Sequence, residues 1–312
     1  MKDGLKDGLK DGAGRAADAP AAASAPVGGG PATGTDVAGT QQRARARFAA
    51  SAQAYVTSAS HAKGDELPRL VEAVRSRLGD LAGVRALDVA TGGGHTARAL
   101  AEAGARVTVS DLTPEMLVAA EAHLRRALPD AALDFVAAAA EALPFEAGAF
   151  EIVSCRIAAH HFGDPRAFLA EVRRVLAPGG VFLLVDNVAP EDARLGEAMN
   201  EVERQRDPSH VEAYRVSTWM GWLGEVGLEP YLLERFWRVK PLASWLRRAD
   251  TSPENEAALR AFLEGADEAV SRYLLAPEAG GAPAPGPVAG GAVPEIHLRH
   301  EVVLLAATAG VV

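Results

Sequence analysis

A run of three glycines directly after a short apolar strand limits what this chain can fold into. Residues 84–89 predict a buried strand, glycines occupy 92–94, and a helical pattern starts at His95. Glycine lets the backbone approach a bound molecule closely, and the first turn of a helix offers N–H groups that lack partners. A strand, a glycine turn and a helix start in this order therefore predict a cradle for a nucleotide.

Strand and helix signals alternate along most of the chain, with short connections. Strands are predicted at 84–89, 106–110, 133–136, 150–155, 181–186, 231–239 and in the apolar C-terminal segment. Helices are predicted at 41–58, 66–78, 95–103, 114–127, 165–176, 191–204, 217–226 and 254–275. Ser217 and Ser252 are expected to cap two of these helices, and Gly227 to end one. This alternation predicts an α/β fold with a doubly wound, mostly parallel seven-stranded sheet (Rossmann-like), an antiparallel last strand and helices on both faces.

Two segments of low complexity frame the domain organisation. Residues 1–40 are rich in Ala, Gly, Pro and Thr and are expected to be a disordered tail. Residues 277–294 have a similar composition and are expected to be a flexible internal loop. A single domain is therefore predicted for residues 41–312.

Composition argues against several classes of partner. The net charge is -9 with a pI near 5.4, whereas a protein that follows nucleic-acid phosphates needs a basic face. The single cysteine, Cys155, excludes an internal disulfide, and its apolar neighbours indicate a buried, inert thiol. The sequence has no apolar run of membrane-spanning length, no signal-peptide core and no metal-ligand motif, so a cytoplasmic protein without a metal is predicted.

The glycine turn is compatible with two kinds of nucleotide. Gly92, Gly94 and Ala97 fit the GxGxxA pattern of dinucleotide folds, and Asp111 follows the second strand, where an acidic residue would bind a ribose. These features are shared with NAD-dependent oxidoreductases. Asp88, however, lies inside the strand that leads to the glycines, and dinucleotide folds usually run apolar up to that turn. The Asp88 carboxylate therefore favours a nucleotide other than NAD.

Four segments, in order, resemble motifs of the class I S-adenosylmethionine-dependent methyltransferases: LDVATGGG, SDLTPEML, LPFEAGAFEIV and RVLAPGG. The resemblance extends over about residues 42–310, and it is strongest to the branch with the ubiquinone and menaquinone C-methyltransferases and related small-molecule enzymes. It implies S-adenosylmethionine as cofactor and methyl transfer to a small-molecule acceptor. An NAD-dependent oxidoreductase and a non-catalytic S-adenosylmethionine-binding protein are the alternatives.

The resemblance also implies a set of cofactor contacts. Asp88 would hold the ammonium of the cofactor, Asp111 would accept the ribose hydroxyls, and Leu112 with Met116 would cover the adenine. The first helix is expected to be a lid, with Tyr55 near the cofactor; a helix merely packed on the sheet is the alternative. The predicted contacts are Tyr55, Asp88, Ala90, Thr91, Gly92, Gly94, Asp111, Leu112, Met116, Ala140, Glu141, Arg156 and His161.

Candidates for the chemistry lie beyond the carboxyl ends of the fourth and fifth strands. His161 is the first choice for a general base, because imidazole titrates near neutrality; lining the pocket without proton transfer is the alternative. His160, Asp186 and His210 complete the catalytic candidates. His210 together with Arg206 is a candidate for binding an anionic or phenolic group of the acceptor, with a solvated loop as the alternative. The sequence leaves a homodimer open.

Overall fold

The computed structural model describes residues 36–57, 64, 66–276 and 295–310, except for the side chains of residues 54, 55 and 57. The internal loop predicted at 277–294 and most of the predicted tail lie outside the described residues. Residues 36–40 of that tail are described, and the first helix already begins at Val37. The prediction that this helix begins at residue 41 was therefore wrong by one turn.

The centre of the fold is a seven-stranded sheet in the order β3-β2-β1-β4-β5-β7-β6. Strands β1 to β5 are parallel, and β7 is antiparallel to both β5 and β6. This topology confirms the predicted doubly wound sheet with an antiparallel last strand. The strands are β1 (Arg85–Val89), β2 (Arg106–Asp111), β3 (Leu133–Ala137), β4 (Phe150–Arg156), β5 (Leu176–Asn187), β6 (Leu228–Pro241) and β7 (His297–Ala309).

Helices are interspersed between the strands and pack on both faces of the sheet. They are α1 (Val37–Thr57), α2 (Glu66–Leu78), α3 (His95–Glu102), α4 (Pro114–Ala127), α5 (Pro165–Val175), α6 (Ala193–Arg206), α7 (Val216–Glu225), α8 (Leu242–Arg248), α9 (Pro253–Gly265) and α10 (Glu268–Leu274). None of the helices in the described ranges has the length and apolar character that crossing a membrane requires.

Strand β5 shows why the middle of the sheet is apolar on both sides. Phe182 and Leu184 join the core cluster that contains α5 and α7, whereas Val181 and Leu183 join the cluster on the opposite face with α2 and α3. Successive residues of a strand point to opposite faces, so a strand covered on both faces needs a continuous apolar run. The segment Val181–Val185 meets that need, because each of its residues is fully buried.

The C-terminal region departs from the predicted helices. The single helix predicted at 254–275 is two helices, α9 and α10, because Gly265 ends the first and the Asp267 carboxylate accepts N–H bonds from Ala269 and Val270 at the start of the second. Ser252 caps α9 as predicted, by accepting from the Asn255 N–H. The short helix α8 was not predicted.

Ser217 is not the cap of α7. That helix begins one residue earlier, at Val216, and Ser217 donates its N–H and its hydroxyl to the Glu191 carboxylate. The Glu191 carboxylate, which lies in a distant loop, therefore accepts an N–H at the start of α7, as the Ser217 side chain was expected to do. Gly227, with a φ of 72°, follows the end of α7 as predicted.

The order of strands also fixes where a ligand can bind. Strand β1 has β2 on one side and β4 on the other, so the chain winds outward in both directions from this point. In open parallel sheets, a crevice forms at such a point beyond the carboxyl ends of the strands. Residues that directly follow β1, β2 and β4 are therefore expected to line it.

Candidate functional site

A cleft of about 690 Å³ lies at this end of the sheet. Its walls come from α1, from the segments that follow β1, β2, β3 and β4, and from the start of α4. It is lined by Gln41, Ala44, Phe48, Ala90, Gly92, Asp111, Leu112, Thr113, Met116, Ala138, Ala140, Glu141, Ile157, Ala158, His161 and Phe162.

Two lining residues have an unusual backbone conformation. Ala90, directly after β1, has a φ of 52°, and Ile157, directly after β4, has a φ of 55°. In the part of the chain that the structure describes, Asp250 is the one further non-glycine residue with a positive φ. Such conformations cost about 1–3 kcal/mol and concentrate at ligand sites. Their position on two neighbouring strands marks this cleft as the candidate functional site.

The glycine turn forms the floor of the cleft beside β1. The Gly92 N–H donates to Asp111 Oδ2 at 3.1 Å, which ties the turn to the end of β2. Gly94 immediately precedes α3 with a φ of 80°, and a Cβ at this position would lie 3.1 Å from the Leu124 side chain. The turn therefore needs glycine at residue 94 both for its backbone conformation and for its packing against α4.

Asp111 presents a buried carboxylate to the cleft. One oxygen accepts the Gly92 N–H and the other accepts the Thr113 N–H at 2.9 Å. Burial raises the pKa of Asp111, and the backbone N–H groups of Thr113 and Gly92 oppose that rise. Each carboxylate oxygen can accept more than one hydrogen bond. Asp111 is therefore oriented by the backbone while keeping acceptor capacity for a ligand hydroxyl.

The rest of the lining is mostly apolar. Leu112, Met116, Ala140 and Phe162 line it, together with the carboxylate of Glu141. Glu141 accepts the Gly163 N–H at 3.2 Å and the Gln41 amide at 3.1 Å. An apolar slot beside Asp111 suits a flat ring attached to a sugar, which is the shape of a nucleoside.

Asp88 lies deeper than the cleft. Its carboxylate accepts hydroxyl hydrogens from Thr91 and from Ser154, each at 2.7 Å. Burial raises its pKa, and these two hydroxyls oppose the rise. The predicted contact of Asp88 with a cofactor ammonium stays a prediction. The geometry favours a positioning role, in which Asp88 braces the turn at Thr91 against β4.

Comparison with known proteins gives the family. Residues 87–184 match the family model described as a methyltransferase domain. The uncharacterized methyltransferase YcgJ of Bacillus subtilis is 33% identical over 237 residues, which are 76% of this chain and 92% of that protein. The chain belongs to the S-adenosylmethionine-dependent methyltransferases.

Further relatives support the assignment to this family. The solved structure of the methyltransferase BH2331 from Bacillus halodurans has a TM-score of 0.70 at 32% identity, and covers 79% of this chain and 100% of that chain. A ubiquinone biosynthesis O-methyltransferase of Xanthomonas oryzae is 30% identical over 194 residues, which are 62% of this chain and 72% of that protein. The resemblance noted in the sequence is confirmed, and S-adenosylmethionine is the cofactor of this family.

The predicted cofactor contacts divide into two groups in this methyltransferase. The cleft is lined by Ala90, Gly92, Asp111, Leu112, Met116, Ala140, Glu141 and His161. The described lining does not include Asp88, Thr91, Gly94 or Arg156. The Tyr55 side chain lies outside the described residues. Since the lining combines a glycine floor, a ribose-type carboxylate and an apolar slot, the residues present fit S-adenosylmethionine.

Arg156 lies in a buried ion-pair network instead of in the cleft. Its guanidinium is 2.8 Å from Glu66 Oε1 on α2 and donates to the Thr96 hydroxyl on α3 at 3.0 Å. Arg238 also pairs with Glu66. The guanidinium thus ties α2 and α3 to the end of β4, and its predicted cofactor contact stays a prediction.

Helix α1 contributes lining residues that sequence reasoning missed. Gln41, Ala44 and Phe48 lie on one face of the helix and line the cleft. Arg47, on the same helix, adds an ion pair to Asp207 at 3.7 Å. The spacing of three and four residues was visible in the sequence, but nothing local indicated which face would meet a cleft. The helix therefore lines the cleft, and its role as a lid stays a prediction.

His161 lines the cleft, and its ring is held in one tautomer. Nδ1 lies 2.9 Å from the Ser209 carbonyl oxygen and 3.2 Å from the Ser209 hydroxyl. Because a carbonyl oxygen only accepts, Nδ1 carries the hydrogen and Nε2 keeps a lone pair. Burial, helped by the neighbouring His160, lowers the pKa of His161 to about 4. His161 is therefore a neutral hydrogen-bond acceptor at pH 7 and a weak base.

His160 and Asp186 form a buried pair behind His161. His160 Nδ1 lies 2.6 Å from Asp186 Oδ1, and the His160 backbone N–H donates to Asp186 Oδ2 at 3.0 Å. Burial alone would lower the pKa of His160, but the Asp186 carboxylate outweighs it and raises the pKa. The ring centres of His160 and His161 are 4.2 Å apart. The stronger base of the two is thus His160, not the first-choice residue His161.

His210 is also neutral, and its ring is also held in one tautomer. The Asn200 amide nitrogen donates to the Gly196 and Ala213 carbonyls, so its oxygen accepts the His210 Nε2–H at 2.8 Å. Burial lowers the pKa of His210 to about 3. The His210 ring centre lies 5.5 Å from that of His160. The structure therefore brings the four catalytic candidates, His160, His161, Asp186 and His210, into one cluster.

Two further predictions concern metals and the thiol. In the described ranges, no three His, Cys, Asp or Glu side chains come together as a metal-binding group. Cys155 is fully buried in β4, and burial raises the pKa of its thiol. A buried thiol with a raised pKa is not a nucleophile, as its apolar neighbours predicted.

Proposed function

We propose that this methyltransferase transfers the methyl group of S-adenosylmethionine to a small-molecule acceptor held on the histidine side of the cleft. The observation that carries the proposal is that one cleft brings together two sets of residues. Asp111, Leu112 and Met116 come from the segment at and after the end of β2, whereas His161, next to the His160–Asp186 pair, follows β4. When bound, the cofactor supplies a methyl group already activated on a sulfonium.

The protein then has to orient the acceptor and remove a proton if the acceptor has one to lose. The locked tautomer of His161 supports a role in orientation, since its Nε2 lone pair can accept a hydrogen bond from an acceptor O–H or N–H. The raised pKa of His160 supports a role in taking up the proton. His210 then serves as part of the same wall.

The position of α1 supports a small acceptor. This helix lines the cleft and is held at two points of its first half, through Gln41 to Glu141 and through Arg47 to Asp207. A cleft lined by a helix as well as by the ends of the sheet suits a small organic molecule better than a polymer. We extend the proposal to a single cytoplasmic methyltransferase domain that includes all of α1.

Label transfer tests the proposal. The full chain is incubated with S-adenosylmethionine that carries a tritiated methyl group, together with a cell extract divided into low-molecular-weight and macromolecular fractions. We expect tritium in the low-molecular-weight products, and loss of that signal in the Asp186→Asn variant. Tritium in protein or nucleic acid would overturn the small-molecule acceptor. Cofactor binding with no transfer to either fraction would favour the non-catalytic alternative.

A further inference from the structure

A cluster of cations lies next to the histidines, where α6, β6, β7 and α8 meet. Arg206 Nη1 is 3.3 Å from Glu203 Oε2, and His300 Nδ1 is 3.0 Å from the other oxygen of the same carboxylate. The Arg206 guanidinium also stacks at 4.6 Å over the ring of Trp245. Glu203 and His300 are almost fully buried, whereas Arg206 is half-buried. The cluster thus runs from the interior to the surface.

Lys240 on β6 is the unusual member of this cluster. Its side chain is half-buried, and among the residues that the structure describes none forms a hydrogen bond or an ion pair with its ammonium. Burial lowers the pKa of Lys240 to about 7; Glu203 opposes this, and Arg206, Arg238 and Arg248 add to it. Burial lowers the pKa of His300, on the neighbouring strand, and the charge of Lys240 adds to this.

The carboxylates in this region are already shared. Arg156 and Arg238 both pair with Glu66, while Arg206 and His300 both face Glu203. Lys240 therefore shares the charge of Glu203 with Arg206, and no described carboxylate forms an ion pair with Lys240. The whole chain has a net charge of -9, so this local excess runs against the overall balance. A local excess of cations attracts anions.

The presence of a lysine at residue 240 is a second observation. The chain has five lysines among its 32 lysine and arginine residues, and Lys240 is the only lysine after residue 63. Every other basic neighbour in the cluster is an arginine or a histidine. An ammonium is a compact charge with three donors that can turn toward a ligand, unlike the planar guanidinium.

The cluster adjoins the acceptor side of the cleft. Asp207 follows Arg206 directly and pairs with Arg47 at 3.7 Å. Phe48, next to Arg47, meets the His161 ring edge-on with the ring centres 5.0 Å apart. His161 and the cation cluster are therefore connected through Phe48, Arg47 and Asp207.

We propose that Lys240, together with Arg206 and Arg248, binds an oxyanion group of the methyl acceptor, either a carboxylate or a phosphate. The inference rests on the proposed function and specifies its substrate class. An oxyanion accepts charge-assisted hydrogen bonds from ammonium and guanidinium groups, which are among the strongest polar contacts in proteins. It would also supply the negative charge that the described residues do not give Lys240.

Chemical labelling of the native full chain tests this site without an activity assay. The chain, saturated with S-adenosylhomocysteine, is acylated with trace acetic anhydride at pH 7, and the rate at each lysine is measured by peptide mass mapping. The probes are inorganic phosphate, benzoate and the neutral analogue benzamide. A bound anion raises the pKa of Lys240, and the first unit of rise lowers the reactive neutral fraction at pH 7 by about fivefold.

We expect phosphate or benzoate to slow acylation at Lys240 by about fivefold, with Lys63 unaffected and benzamide without effect. Protection by phosphate alone identifies a phosphorylated acceptor, and protection by benzoate alone a carboxylate. Unchanged acylation of Lys240 with both anions overturns the site. Failure of the chain to bind S-adenosylhomocysteine would instead contradict the proposed function, so the two failures are distinguishable.

A pair of variants separates charge from structure. Lys240→Met removes the ammonium and Lys240→Arg keeps the positive charge. By calorimetry, we expect Lys240→Met to weaken binding of the effective probe by about tenfold, and Lys240→Arg to retain most of it. Equal binding by native chain and Lys240→Met would overturn the proposal. The affinity for S-adenosylhomocysteine reports whether each variant is folded. If Lys240→Met does not fold, the labelling of the native chain alone tests the anion site.

Discussion

The carbonyl oxygen of Ser209 lies 2.9 Å from Nδ1 of His161, and this contact determines which nitrogen of His161 is free. The loop that carries Ser209 follows α6, whereas His161 follows β4. His160 belongs to the same connection, because its carbonyl accepts the N–H groups of Val211 and Glu212. The two segments form one wall, in which two neutral histidines flank a more basic one.

The neutral histidines make the folded state sensitive to acid. An unfolded histidine has a pKa near 6.5, whereas His161 and His210 have pKa values of about 4 and about 3. Between these values the unfolded chain binds more protons, so the free energy of unfolding falls as the pH falls from about 7 toward 4. The raised pKa of His160 opposes this in part. We expect a net loss of a few kcal/mol.

Urea unfolding at pH 7 and at pH 4.5 measures this loss. Carboxylates titrate in the same range, so the informative quantity is the difference between the native chain and His210→Gln, which cannot titrate at this position. The native chain should lose more stability than the variant. Equal losses in the two proteins would show that the His210 pKa is not depressed.

Asp186→Asn is expected to weaken the base. Burial is then opposed by the charges of Glu203 and Asp207 alone, so the pKa of His160 should fall. The rate of label transfer should fall by about 10²-fold, and the acidic limb of its pH profile should move to lower pH. Titration of the imidazole signals by NMR checks the pKa. Asp134→Asn, at an exposed position on β3, is the control and should change neither quantity.

Gly94→Ala is expected to destabilise the fold by about 1–2 kcal/mol. The positive φ disfavours a side chain, and the added Cβ would press on Leu124 at 3.1 Å. Gly221→Ala is the matched control, because Gly221 lies within α7 and a Cβ there meets nothing within 4 Å. That substitution should stabilise the protein by about 0.4–1 kcal/mol. Denaturant midpoints compare the two, and equal effects would argue against the strained turn.

Helix α1 is expected to contribute to cofactor binding. Phe48→Ala removes a lining ring and the edge-on contact with His161, so the dissociation constant of S-adenosylhomocysteine should rise by about tenfold. Arg45→Ala changes an exposed residue of the same helix and should have no effect. If calorimetry gave the same affinity for both variants, α1 would be packed on the sheet without acting as a lid.

The strands and the cofactor side of the site were largely predictable from the sequence. Buried parallel strands leave continuous apolar runs, as at Val181–Val185, and the cleft residues that follow β1 and β2 are close to the glycines in sequence. Gly92 and Asp111 could therefore be assigned from local motifs alone. Leu112 and Met116, which also line the cleft, follow from the same segment.

Contacts between distant segments could not be predicted. Ser154 on β4, which donates a hydrogen bond to Asp88, is 66 residues away in sequence. No local pattern near Asp88 predicts this hydrogen bond. The same holds for Asn200, which fixes the tautomer of His210, and for Glu191, which takes over the capping expected of Ser217. Hydrogen bonding between segments depends on tertiary packing, whereas periodicity reports only on the local element.

Equilibrium binding of S-adenosylhomocysteine to the native chain, Asp111→Ala and Asp134→Ala tests the assignment of the cleft. The native chain and Asp134→Ala should bind equally. Asp111→Ala should bind about 10- to 100-fold more weakly, because a hydrogen bond to a charged group contributes about 1.5–3 kcal/mol. Equal affinity of all three proteins, or binding of NAD by a native chain that ignores S-adenosylhomocysteine, would contradict the account.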